Sequence, residues 1–194
     1  GLAMFRMHRL HLRTTGMKLK ITPTRNEIRL GDDEFIVSKT DTKGRITYAN
    51  RTFMKISGFA EPELLGVQHN IVRHPDMPRG VFQLLWSTLQ GGQEFFGYVK
   101  NLCKDGSFYW VLANITPDLD SAGQLRGYYS VRRKPKASAL AVLEPIYRRM
   151  LELEREAGPR EAIARSQAYL QELLQQQGTD YTGFVLALTQ EVRS

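Results

Sequence analysis

Residues 69 to 78 read HNIVRHPDMP. Two histidines, an arginine and an aspartate fall within eight positions. Such types at such spacing suit the holding of an anion. Asp76 precedes Met77-Pro78 and a helical stretch that carries Trp86, so its carboxylate is placed to cap that helix. The free amides of the first turn, with Arg73, make a place for a negative group. His69, Asn70 and His74 add donors beside it. The residue types also allow a plainer arrangement, in which Asp76 only caps while Arg73 and His74 form a local ion network.

A second set lies in two strand-like runs. In SFYWVLANITP, Phe108, Trp110, Leu112 and Asn114 share one face, because strand side chains alternate. In FFGYVKN, Gly97, Val99 and Asn101 share a face. Asn101 and Asn114 therefore fall on faces that are otherwise apolar. Buried amides need partners, which are either backbone or a bound group.

These residues need elements to position them. EFIVSKT, DTKG and RITYAN read as strand, turn and strand. NRTFMKISG follows as a helix with Asn50 as N-cap and Gly58 as stop. AEPELLGV is a helical turn with Pro62 near its start. PRGVFQLLWSTLQGG spaces Val81, Leu84, Leu85 and Leu89 as one helix face and ends on paired glycines. EFFGYVKNLC, SFYWVLANITP and LRGYYSVRR give three more strands. Five strands with helices grouped between the second and third predict an α+β fold, one antiparallel sheet with short helices on one face. The space between the layers is where a ligand fits. From residue 135 to 194 the pattern is helical. Leu140, Leu143, Tyr147 and Met150 form one stripe, Gly158-Pro159 breaks it, Ile163 to Leu174 form a second, and Thr179 or Asp180 caps a third. This extension reads equally as a cap on the domain's own sheet and as a dimerisation or signal-relay element.

The organisation is thus a basic N-terminal segment over 1–32, a domain over 33–134 and a helical extension over 135–194. Residues 1 to 30 hold seven Lys/Arg against one acid, so nearly all of the formal charge of +7 lies there. The rest carries no basic stripe, which argues against a nucleic-acid partner. No apolar run approaches the roughly 20 residues of a membrane span, and no secretory signal is visible. A single cysteine, Cys103, leaves no internal disulfide and no cysteine-based zinc cluster. These features predict a cytoplasmic globular protein. There is no Gly-x-Ser-x-Gly word and no Gly-rich phosphate loop.

The words inside this pattern carry a resemblance. TDTKGRITYANRTFMKISGF looks like the opening of many PAS sensors. GVQHNIVRHPDMPRGVF, GYVKNLCKDGSFYWVLANITP and LRGYYSVRRK together resemble the sensor domain of the bacterial aerotaxis receptors. The resemblance covers about residues 33 to 134 and implies the PAS fold. It also implies noncovalent FAD, with Arg73, His74 and Asp76 as site residues holding the dinucleotide with His69 and Asn70. It implies reporting of redox state or oxygen-linked respiration, by a sensor and not an enzyme. Trp86, Phe95 and Trp110 are then candidates to pack near the flavin. Asn101 and Asn114 are candidates for its pyrimidine edge, able to reorient when the ring is reduced. Phe95 stands where those receptors often carry tryptophan. A cysteinyl-adduct light sensor finds no thiol in the facing segment. A haem sensor would have only His69 and His74 as axial ligands in the domain. The other reading is a cofactor-free PAS module for protein association. The downstream partner is unspecified, and a homodimer through the PAS domain or the tail is open.

Overall fold

The structure, a computed structural model, describes residues 20–190. Residues 1–19, the larger part of the expected basic segment, lie outside the described residues. Strands β1 (Phe35–Thr40) and β2 (Ile46–Ala49) form the first hairpin. Helices α1 (Arg51–Ser57) and α2 (Glu61–Leu64), a 3-10 turn (His69–Val72) and α3 (Arg79–Gln90) follow. Strands β3 (Phe95–Leu102), β4 (Phe108–Leu119) and β5 (Leu125–Arg133) complete one antiparallel sheet of order β2-β1-β5-β4-β3. The tail is α4 (Ala137–Ala157), α5 (Ala162–Gln176) and α6 (Tyr181–Thr189). The expected elements are all present, and the α+β fold is as anticipated. No helix among the described residues is long and apolar enough to cross a membrane.

Local chemistry explains the boundaries. Asn50 Oδ1 accepts both Phe53 N at 3.0 Å and Val37 N at 3.1 Å, while its Nδ2 donates to Phe35 O at 2.9 Å. One amide therefore caps α1 and ties the end of β2 to β1. Gly58 stops α1 in the left-handed region at φ 76°, which a side chain would resist. Asp180 caps α6 through Gly183 N at 2.8 Å.

The register sorts the side chains. Ser38 lies opposite Ser130, which lies opposite Ile115. Asn101 lies opposite Tyr109, and Ala113 opposite Arg132. These residues share the inner face, which looks towards α3 and the 3-10 turn. Lys100 lies opposite Trp110 and Phe96 opposite Asn114, on the outer face.

The tail folds back on the domain. Tyr147 Oη donates to Tyr98 O at 2.8 Å and meets Tyr181 Oη at 2.7 Å, joining α4, α6 and the edge strand β3. α6 packs along β3, so that edge is covered. α5 packs on α3, where Gln167 Nε2 donates to Gly80 O at 3.2 Å. The tail thus caps the domain, through α3 and through the sheet's edge strand β3. Residues 24–30 are also drawn in. Thr24 N donates to Gly106 O, Phe108 N to Asn26 O and Ile28 N to Phe108 O, and Leu30 is buried.

At Gly80 the α3 backbone comes close against α5. A Cβ there would collide with Ser166 Oγ and press on Gln167 and Met150. Gly80→Ala should therefore destabilise the protein by about 1–3 kcal/mol through overpacking. Adding Ser166→Ala should return part of it. Urea unfolding of the single and double variants checks this, and a neutral Gly80→Ala would show that the α3–α5 contact yields freely.

Candidate ligand-binding site

A cavity of about 190 Å³ lies between the inner face of the sheet and the cover formed by the 3-10 turn and α3. α3 contributes Phe82, Leu85, Trp86 and Leu89; the segment before it contributes His69, Asn70 and Arg73. From the sheet come Val99, Asn101, Ala113, Ile115, Tyr128, Ser130 and Arg132. Trp86 meets Tyr128 edge to face, ring centres 5.6 Å apart. Most of the wall is apolar.

The polar groups in that wall are mostly donors. Arg132 is only 3% exposed. Its Nη2 donates to Ser38 Oγ at 2.8 Å, and Ser38 Oγ lies 3.0 Å from His69 Nε2. Its guanidinium carbon stands 4.5 Å from the centre of the Phe53 ring. Its Nε and Nη1 have no partner among the described residues, nor do Asn101 Nδ2 and Ser130 Oγ. Burial pulls Arg132 down to about 10, so it stays cationic near neutral pH. Burial, and then the charge of Arg132, push His69 down to about 3, so it is neutral. No Asp or Glu lines the cavity among the described residues. A buried charge without a counter-ion is unfavourable unless something else supplies acceptors. The cavity is thus suited to a largely apolar ligand with an acceptor-rich edge.

The stretch HNIVRHPDMP is placed differently from the sequence expectation. Asp76 does not cap α3. Its carboxylate takes Lys100 Nζ at 2.9 Å. Burial pushes Asp76 up, but the hydrogen bond and charge of Lys100, helped by His74 and Arg155, hold it below the usual range. The helix amides go to a distant residue instead. Arg79 N and Gly80 N donate to the two carboxylate oxygens of Glu154 on α4, at 2.8 and 3.1 Å. The anion expected at this helix end is therefore part of the chain itself. Arg73 lies over the Phe82 ring at 3.9 Å. Burial and then the charge of Arg79 lower its pKa, against the opposing pull of Glu154. His74 is buried, and its Nδ1 accepts Asp76 N at 3.0 Å. Burial, then Lys100, push it down to about 4 despite Asp76.

Arg73 also borders a second space, a cleft of about 540 Å³ between residues 73–79 and the end of α4. His74 lines that cleft and not the first cavity. Of the residues singled out by sequence, His69, Asn70, Arg73, Trp86 and Asn101 meet at the cavity. Phe95 has the inner-face parity, but its ring stacks on Tyr181, centres 5.8 Å apart. Trp110 lies on the outer face beside Tyr147. Asn114 is on that face too, donating to Glu94 at 2.6 Å. Sequence reasoning missed Ser130 and Arg132. Alternation along LRGYYSVRR places Tyr128, Ser130 and Arg132 together, and that was the available signal. Cys103 does not line the cavity; its thiol donates to Ile56 O at 3.2 Å, and burial pushes it up to about 12.

Comparison with known proteins fits this geometry. Residues 46–132 match the sequence model of the PAS fold family. The aerotaxis receptor of Escherichia coli (strain K12) is 42% identical over 125 residues, covering 64% of this chain and 24% of that protein. The nitrogen fixation regulatory protein of Klebsiella pneumoniae is 34% identical over 97 residues, covering 50% and 20%. The chain therefore spans about a quarter or less of the length of these relatives. Among solved structures, the light state of the blue-light photoreceptor Aureochrome1 LOV superposes with a TM-score of 0.51 at 21% identity, covering 58% of this chain and 88% of that one.

The two depressed histidines set a pH dependence. Their ordinary value is near 6.5, and both bind a proton more weakly when folded. Unfolding then takes up protons, so stability is whole above about pH 6.5 and falls as pH drops towards 4. Each histidine contributes a slope of at most about 1.4 kcal/mol per pH unit. His74→Gln should flatten the fall between pH 6.5 and 4. Urea midpoints across that range read it, and an unchanged slope would mean that His74 titrates alike in both states.

Proposed function

Since residues 46–132 match the PAS fold family and the chain resembles part of a bacterial aerotaxis receptor, we propose that this chain is a cytoplasmic sensor that reads redox state or oxygen-linked respiration through noncovalent FAD. The observation that carries this reading is the cavity's chemistry. It has a largely apolar wall, a buried guanidinium without a counter-ion, and unmatched polar groups on Asn101 and Ser130. A flavin's pyrimidine edge offers the missing acceptors. Once bound, flavin supplies a ring whose charge and protonation change with its redox state.

The chain's own residues have distinct parts in this scheme. Arg132, Asn101 and Ser130 hold the polar edge of the ring. Trp86 and Leu85 exclude water from its face. Ser38 links Arg132 to His69, so a change in the demand on Arg132 is felt in β1 and the 3-10 turn. Arg73, which borders both the cavity and the neighbouring cleft, would meet the part of the cofactor beyond the ring. Among the described residues no carboxylate lines the site to act on a substrate, which favours sensing over flavin-enzyme chemistry. A haem reading is disfavoured because His69 Nε2 is engaged by Ser38. A cofactor-free association module gives no account of the buried unpaired donors. The sensory output passes to a downstream partner through the tail or through a second copy of the chain.

Arg132→Met separates these readings. Losing a charged hydrogen-bond donor should weaken flavin binding by about 1.5–3 kcal/mol. Removing an unpaired buried charge should at the same time raise the stability of the apoprotein. Flavin fluorescence quenching and urea unfolding of the apoprotein read the two effects. Heat-released cofactor from the parent protein should run as FAD on chromatography. A parent that stays colourless after reconstitution, or an Arg132→Met variant that binds as tightly, would overturn the assignment.

A further inference from the structure

The cleft beyond Arg73 carries positive charge that the chain does not match. Most surface cations near an acid are paired: Lys100 with Asp76, Lys104 with Glu63, Arg126 with Asp118, Arg149 with Glu152. Three arginines line this cleft, namely Arg73, Arg79 and Arg155. None makes an ion pair among the described residues. Among the described residues Glu154 is the only carboxylate lining the cleft, one negative charge against three positive, and its oxygens accept the amides of Arg79 and Gly80. Asp76 lies close enough to feel Arg155, but its carboxylate is held by Lys100.

A second observation points the same way. His74 is 3% exposed and lines the cleft, and its Nε2 has no partner among the described residues. Since Nδ1 accepts the amide of Asp76, the neutral ring carries its hydrogen on Nε2. The cleft thus gathers three guanidiniums, whose planar forks match phosphate oxygens, beside a buried histidine with an idle donor. It adjoins the first cavity at Arg73, which lines both. That first cavity, about 190 Å³, is below the roughly 300–1,000 Å³ usual for a whole drug-sized ligand. It takes a ring system and leaves the remainder of a dinucleotide outside.

We propose that this cleft, walled on one side by α4, binds the diphosphate of the flavin dinucleotide, so that the helical tail completes the cofactor site through Arg155. The inference rests on the flavin reading above and adds a second subsite to it. The domain holds the ring, while domain and tail together hold the charged end. Dinucleotide selectivity then belongs to the tail.

The test is titration of the full-length apoprotein with riboflavin, FMN and FAD, read by flavin fluorescence. The parent should prefer FAD over riboflavin by at least tenfold, with FMN between them. Added salt should shrink the preference, because exposed charges are screened. Arg155→Ala, at an exposed position where folding is not at stake, should lower the FAD-to-riboflavin preference about tenfold. Arg165→Ala, on the outside of α5, should keep it. A parent that binds riboflavin as tightly as FAD overturns the inference and leaves the ring site standing. So does an Arg155→Ala variant that keeps the full preference. If none of the three flavins binds, both the cleft assignment and the flavin reading fall.

Discussion

Glu154 sits in the second half of α4, yet its carboxylate accepts the first free amides of α3 across 75 and 74 positions of chain. A helix start leaves amides that something must satisfy. Here nothing local does so, since Pro78 occupies the cap position and makes no side-chain bond. A charged acceptor contributes about 1.5–3 kcal/mol in such a bond. The helix dipole favours the same charge, and the two effects overlap. The consequences spread from this contact. α3 is held at its start, and with it the wall that Phe82, Leu85 and Trp86 give the cavity. α5 follows onto Gly80, and the tyrosines of α4 and α6 lock onto β3. Sensor layer and tail are consequently one packed unit.

Against that well-satisfied frame, the inner face of the sheet is poorly satisfied. A buried arginine with two idle nitrogens, beside an idle amide and an idle hydroxyl, opposes stability. Such an arrangement persists where a bound group completes it. The same logic separates the two asparagines. Asn114 already has Glu94, so it needs no ligand, while the Nδ2 of Asn101 has nothing.

Much of the fold was legible in the chain. Alternation located the strands of the sheet, and the spacing of Val81, Leu84, Leu85 and Leu89 located α3. Asn50, Gly58 and Asp180 act locally, through residues within four positions, so their roles as helix caps and stop followed from sequence. Asp76 looked like the same kind of cap and is not, because a carboxylate from a remote helix took the amides and Lys100 took Asp76. No local pattern encodes that exchange. Asn101 and Asn114 were each visible as polar residues on apolar faces, but which face is inner depends on strand pairing and on where the helices lie. Arg132 was hidden for a different reason. It stands in Arg132-Arg133 at the end of a strand, where charges ordinarily face solvent, and only the register with Ala113 and Ile36 turns it inwards.

The pairing of residues 24–30 with the Gly106–Phe108 corner bears on how this unit travels between proteins. Leu30 is buried, and Phe108 uses both its backbone groups on that segment. A piece excised at the start of β1 would leave those groups unpaired and a hydrophobic seat empty. The portable unit is therefore longer than the sheet and its helices. Shuffling or grafting that respects the physics has to carry the leading strap as well.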